Sequence, residues 1–212
     1  MSLSSRSFEA ADMAAAMELC YEKGWSDGLP VVPPTEERVG AMLAAVKLEP
    51  AHQITFIENR QVSVTAEKVA INAVLAGCKP EYMPVIVAAI EALGDPLYGY
   101  HGPATSTGGS GVLMIVNGPI AKQIRLNSGF GCLGPDPQRP AGASIGRALR
   151  LIQQNLGGAL PGIGAMANYG GMRYTNAVFA EDEENLPQGW LPHSTERHGF
   201  AAGANSISLV FS

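Results

Sequence analysis

A short apolar run, Val112-Leu-Met-Ile-Val-Asn-Gly118, stands between two glycine-rich polar segments, and it constrains the fold more than any other stretch of the chain. Its brevity, its β-branched content and its abrupt glycine boundaries read as a buried strand. His101-Gly-Pro-Ala-Thr-Ser-Thr-Gly-Gly-Ser-Gly111 precedes it, and Asn127-Ser-Gly-Phe-Gly-Cys-Leu-Gly-Pro-Asp136 follows it. Glycines let backbone N–H groups approach a ligand closely, and a rigid strand would hold two such loops in register. The pattern predicts a small-molecule site.

The chain before this strand reads as a helical arm followed by the start of a main domain. Residues 7–23 carry Phe8, Ala11, Met17 and Cys20 at helical spacing, with Ser7 as a cap and Gly24 as a stop. A proline-stiffened crossing, Trp25 to Pro34, leads to Thr35, which caps a helix whose first turn holds Glu36 and Glu37 and whose stripe is Val39, Met42, Leu43 and Val46. Ile54–Ile57 and Gln61–Val64 read as two short strands joined by Glu58-Asn59-Arg60. Thr65 caps a helix over 66–76 that Gly77 closes, and another helix spans roughly 83–93. Both are apolar around most of their circumference, as buried helices are.

Beyond the central strand, Pro119-Ile-Ala-Lys-Gln-Ile124 has the spacing of a short helix. A longer helix runs from Ser144 to Leu156 with Ile145, Ala148, Leu149 and Ile152 on one stripe. The glycine-rich stretch 157–171 lacks periodicity and reads as a long ordered loop. Strands are expected at 175–180 and 206–211, separated by an acidic and then histidine-bearing segment. The expected fold is α/β, with α+β as the alternative: a single mixed-sheet domain over 51–212 with buried helices, preceded by an N-terminal helical arm over 1–50.

Charged residues make up 16% of the chain against 46% hydrophobic, which favours extensive burial and a homo-oligomer whose contacts run through the arm. A net charge of −5 with no basic run argues against nucleic acid and anionic membrane surfaces, and no apolar window is long enough to span a bilayer. The polar start lacks a signal-peptide core, and three widely spaced cysteines, Cys20, Cys78 and Cys132, suit a reducing cytoplasm better than a disulfide framework.

Familiar nucleotide signatures do not fit. A P-loop needs Lys-Ser/Thr where Val112 stands, and a dinucleotide loop follows a strand, whereas this glycine loop precedes one. The candidates are instead individual polar groups. His101 and Glu58 suit acid–base roles, and Cys132 suits a nucleophile if Arg147 or a helix N-terminus lies near it, or else is an inert thiol. Asn59, Arg60, Thr105, Thr107, Asn127, Ser128 and Arg147 are the candidate ligand-binding residues, with Arg60 suited to a carboxylate. Glu58-Asn59-Arg60 also fits an exposed turn in which Asn59 takes positive φ. Asn72, in an apolar helix, needs a buried partner and is expected to join that network. His193 and His198 lie near several acids, but their spacing is not that of a zinc helix, so no metal site is assigned and no cofactor is named.

Several blocks occur together in order: Gly24-Trp-Ser-Asp-Gly-Leu-Pro-Val-Val-Pro-Pro-Thr35, Glu67-Lys-Val-Ala-Ile-Asn-Ala-Val-Leu-Ala-Gly-Cys-Lys-Pro-Glu-Tyr82, Ile115-Val-Asn-Gly-Pro119 and Ile145-Gly-Arg-Ala-Leu-Arg-Leu151. Over about residues 18–185 the chain resembles an uncharacterised bacterial companion domain of the UGSC-motif (seleno)protein family. The UGSC motif itself is absent here, so the resemblance implies a companion domain alone and a separate UGSC-type partner protein. The functional expectation is an enzyme or enzyme subunit acting on a small organic acid or thiol-type substrate. The alternatives are a non-catalytic scaffold for a separately encoded redox protein, or a ligand-binding module. The site is expected where loops 101–111 and 127–136 meet, with Glu58, Asn59 or Arg60 at its edge. Because the run 112–118 spans roughly 23 Å at about 3.3 Å per residue, that meeting requires segment 118–126 to fold back along it.

Overall fold

A computed structural model describes residues 2–168 and 177–211. Its helices and mixed strands form one α/β domain, with the strands in two small sheets. The first strands, β1 (Gln53–Ile57) and β2 (Val62–Thr65), pair antiparallel around a 3-10 turn at Glu58–Arg60. The positive φ of that turn falls on Gln61 (φ 52°), not on Asn59.

Three strands form the main sheet in the order β4 (Ala177–Ala180), β3 (Val112–Asn117), β5 (Ser206–Phe211). β3 runs parallel to β4 and antiparallel to β5, so the sheet is mixed. The expected strand at 175–180 is therefore described only from residue 177, and 175–176 lie outside the described residues. Side chains alternate across the pleat. Met114 lies level with Val178 and Leu209, and Val116 with Ala180 and Ile207; these two rows face the helical core.

Five longer helices build around that face. α1 (Met13–Glu22) starts later than its apolar spacing suggests, because the Asp12 carboxylate, not Ser7, caps it by accepting from Ala15 N at 2.8 Å. α2 (Glu36–Val46), α3 (Ala66–Leu75), α4 (Met83–Gly94) and α7 (Ala141–Asn155) follow the expected spacing. Thr35 and Thr65 cap α2 and α3 through their side-chain oxygens. Five shorter elements complete the described residues: 3-10 turns at Pro80–Tyr82 and Glu183–Asn185, α5 (His101–Thr105), α6 (Pro119–Gln123) and α8 (His193–His198). The first glycine segment is thus helical over its first five residues.

The first fifty residues share the core of the rest. Cys20, Val31, Val39, Met42 and Leu43 lie in the same cluster as Leu75, Ile86, Met114, Ile145 and Leu149. Polar contacts from α7 fasten the crossing: Arg147 donates to the Asp27 carboxylate at 2.8 and 3.0 Å and to the carbonyls of Leu29 and Pro30. Gln154 donates to Gly24 and Ser26, and Asn155 to Trp25. Asn72 finds its buried partner here as well, accepting from Asn155 at 2.7 Å and donating to Lys68 O, so it does not join the Glu58–Arg60 turn.

The N-terminal segment is fastened by a carboxylate. Glu67, in the first turn of α3 and only 1% exposed, accepts from the Ser4 and Ser5 backbone N–H groups and the Ser4 hydroxyl at 2.8–3.0 Å. Burial by itself would raise its pKa, but these hydrogen bonds outweigh burial and hold the carboxyl below its ordinary value. No helix among the described residues is long and apolar enough to cross a membrane.

Candidate functional site

The amino end of β3 gathers three segments that are distant in sequence. Tyr98 and Tyr100 stack on Phe211, with ring centroids 4.4 and 6.2 Å away, and Phe211 pairs with Val112 at the start of β3. That stack fixes α5 beside the strand's first residue. Asn59, from the β1–β2 turn, meets His101 from α5 with Nδ2 and Nδ1 3.2 Å apart. Asn168 donates its backbone N–H to Thr107 O at 3.1 Å, bringing in the glycine-rich segment after α7. That segment is ordered by hydrogen bonds from Gly164 and Ala165 to Leu160 O; its expected last residues, 169–171, lie outside the described residues.

Two arginines meet on this third segment. Gly158 has φ 72°, a conformation that favours glycine, and a Cβ there would overlap the Arg60 guanidinium. Arg60 therefore lies directly over the Gly158 backbone. Arg150, from the last turns of α7, donates to the adjacent Ala159 O at 3.1 Å. Among the described residues, neither arginine is paired with a carboxylate, although the chain carries a net charge of −5. Tyr98 adds a buried hydroxyl with no partner among the described residues. Burial pushes its pKa up to about 12. Burial also raises Tyr100, with Tyr98 adding to that rise and Arg150 opposing it. Both phenols stay neutral donors. This end of the sheet is lined by hydrogen-bond donors.

Of the residues singled out in the sequence, Asn59, Arg60, His101 and Thr107 come together here, with Glu58 exposed on the same turn. Thr105 lies in α5, where its hydroxyl donates back to His101 O at 2.9 Å. The second glycine segment goes elsewhere. Asn127 O accepts from Ala180 N, and Ala180 lies level with Val116, so Asn127 and Ser128 sit at the carboxyl end of β3. Six residues of strand separate the ends, roughly 17 Å at about 3.3 Å per step. α6 forms as expected, but Leu126 leads to the carboxyl end and not back to His101.

The Asn127 side chain closes its own turn, accepting from Gly129 N and donating to Phe130 O. Cys132 lies half-buried in the turn that follows, its N–H donating to Gly129 O. Arg147, 16% exposed in its side chain, holds the Asp27 crossing. Its influence reaches Cys78, whose thiol burial pushes well above its ordinary range and Arg147 partly offsets.

Sequence reasoning missed Arg150, which reads as an ordinary polar position on an amphipathic helix, and Gly158, whose only signal is the Gly157-Gly158 pair closing α7. His193 and His198 sit with rings 5.7 Å apart, and His193 N donates to Glu181. Among the described residues no three His, Cys, Asp or Glu side chains gather as a metal ion requires. No family model, curated protein or solved structure matches the chain.

Proposed function

We propose that the protein binds a small organic acid at the donor-lined end of its sheet and acts on it as an enzyme or enzyme subunit. The observation that supports this reading is the convergence of Arg60 and Arg150 on the Gly158–Ala159 backbone without a carboxylate partner among the described residues. Guanidinium groups match carboxylates in charge and in fork geometry, and two of them beside glycine backbone suit a carboxylate better than any neutral ligand. His101, oriented by Asn59, is the proton-transfer group in this reading, and Glu58 is the second candidate.

Titration calorimetry with malonate and succinate tests it. Saturable binding is expected, with Arg60→Ala weakening it about tenfold or more and Arg60→Lys recovering only part, since an ammonium loses the fork. Absence of binding, or equal binding by a folded Arg60→Ala variant, rejects the reading.

A second reading is a scaffold for a UGSC-type partner protein, following the resemblance in the sequence blocks. Its support is that Leu97, Phe130, Ile163 and Trp190 each stand exposed. Under that reading the acids do not bind, while substitution of Phe130 and Ile163 by serine abolishes association with the partner.

A further inference from the structure

The backbone around Gly158 has no hydrogen-bond donors left for a ligand. Gly157 N donates to Ile152 O, Gly158 N to Gln154 O, Ala159 N to Gln153 O and Leu160 N to Gly158 O. Beyond Pro161, which has no N–H, Gly162 N donates to Ala165 O, and the N–H groups of Ile163, Gly164 and Ala165 all go to Leu160 O. The glycines therefore make no nest of free N–H groups, and an anion here falls to the guanidinium groups of Arg60 and Arg150. Their planar forks fit the edge of a carboxylate.

A further donor stands next to Arg60. Asn59 precedes Arg60 in the 3-10 turn, a step of about 3.8 Å along the backbone, and its Nδ2 lies 3.2 Å from His101 Nδ1. An amide nitrogen can only donate, so Nδ1 is the acceptor of this bond. A neutral imidazole carries one ring hydrogen, and with Nδ1 accepting, that hydrogen sits on Nε2. His101 thus offers an N–H and not a lone pair at its other nitrogen. Nε2 has no partner among the described residues, and the residue is exposed, so that donor is open to a ligand.

We infer, resting on the acid-binding reading above, that the acid is a 2-oxo acid, with its carboxylate on Arg60 and Arg150 and its ketone oxygen accepting from His101 Nε2–H. A ketone beside a carboxylate adds an acceptor and no donor, which matches side chains that all donate. A 2-hydroxy acid brings a proton of its own, for which the turn offers only the exposed carboxylate of Glu58. A neutral imidazole N–H is also the kind of electrophile that polarises a carbonyl. Asn59 is then a positioning residue: it sets the tautomer of His101 without touching the acid.

Two measurements test this. Nitrogen-15 spectra of the histidine rings, recorded above the ordinary imidazole titration range, report the tautomer directly, with His101→Gln identifying the His101 signals. Nδ1 is expected to be unprotonated and Nε2 protonated, and Asn59→Asp, which accepts, is expected to move the proton to Nδ1. Calorimetry then compares 2-oxobutyrate, 2-hydroxybutyrate and butyrate. 2-Oxobutyrate is expected to bind about five- to tenfold more tightly than butyrate, the effect of one added hydrogen bond, with 2-hydroxybutyrate weaker than 2-oxobutyrate. His101→Phe is expected to erase the preference, and His101→Gln, which keeps an N–H donor, to restore part of it. The inference is overturned by a proton on Nδ1 in the wild type, by butyrate or 2-hydroxybutyrate binding as tightly as 2-oxobutyrate, or by a preference that survives in His101→Phe. Equal binding of all three acids removes this inference alone; binding of none removes the acid-binding reading as well.

Discussion

Gly158 and Arg60 show how one missing side chain sets the position of another. The guanidinium occupies the space that any Cβ at residue 158 would fill, and φ 72° further restricts the position to glycine. Gly158→Ala is expected to cost about 1 kcal/mol in stability and to displace Arg60, weakening malonate binding while the fold, followed by circular dichroism, is retained. Unchanged affinity in that variant would detach Arg60 from the site. Cys78 donates to Ser144 O at 3.2 Å from inside the helical core, and burial keeps it a thiol. Maleimide labelling of the native protein should therefore modify Cys132 and spare Cys78 and Cys20. Residue types in the sequence made Asn59 and Arg60 visible as polar residues between two apolar strands, and His101 as the histidine of a glycine-rich polar segment. They did not reveal that Asn127 consumes its amide in its own turn, because a loop asparagine reads the same whether it faces a ligand or its own backbone.

Among elements, α3 has the most consequential end. Thr65 caps its first turn, and the Glu67 carboxylate in that turn holds the segment at Ser4 and Ser5. A carboxyl with a lowered folded-state pKa contributes stability above its unfolded value, about 4.3, and loses it as pH falls through the folded value. Stability is thus expected to be flat near neutral pH and to decline below about pH 4, with Glu67→Gln costing about 1–3 kcal/mol at pH 7 and flattening the acid decline. Thermal melts of both proteins from pH 7 to pH 3 check this; an unaltered acid profile in the variant would show that the Ser4–Ser5 clasp is not the cause. Longer helices were legible from period and caps, as at Thr35 and Thr65. α5 and α8, of five and six residues, were not, since each is under two turns and shows no apolar period.

For the whole molecule, the first fifty residues and the remainder share one core, through Leu43 and Met42 on one side and Leu75 and Ile86 on the other. Urea unfolding should accordingly give one transition with coincident tryptophan fluorescence and circular dichroism, Trp25 reporting the crossing and the far-ultraviolet signal the helices. Separate transitions would mean that the arm unfolds independently of the rest. The strand that anchors the site was evident in the sequence, yet the end of it at which each loop sits depends on the parallel pairing of β3 with β4, a long-range choice that local pattern does not record. Amide chemical-shift mapping of the labelled protein during titration with malonate tests the acid-binding reading most directly. Shift changes are expected at residues 58–61, 101–109 and 157–164, with residues 118–126 and 181–185 silent. Changes confined to the carboxyl end of β3, or none at saturating acid, would contradict it.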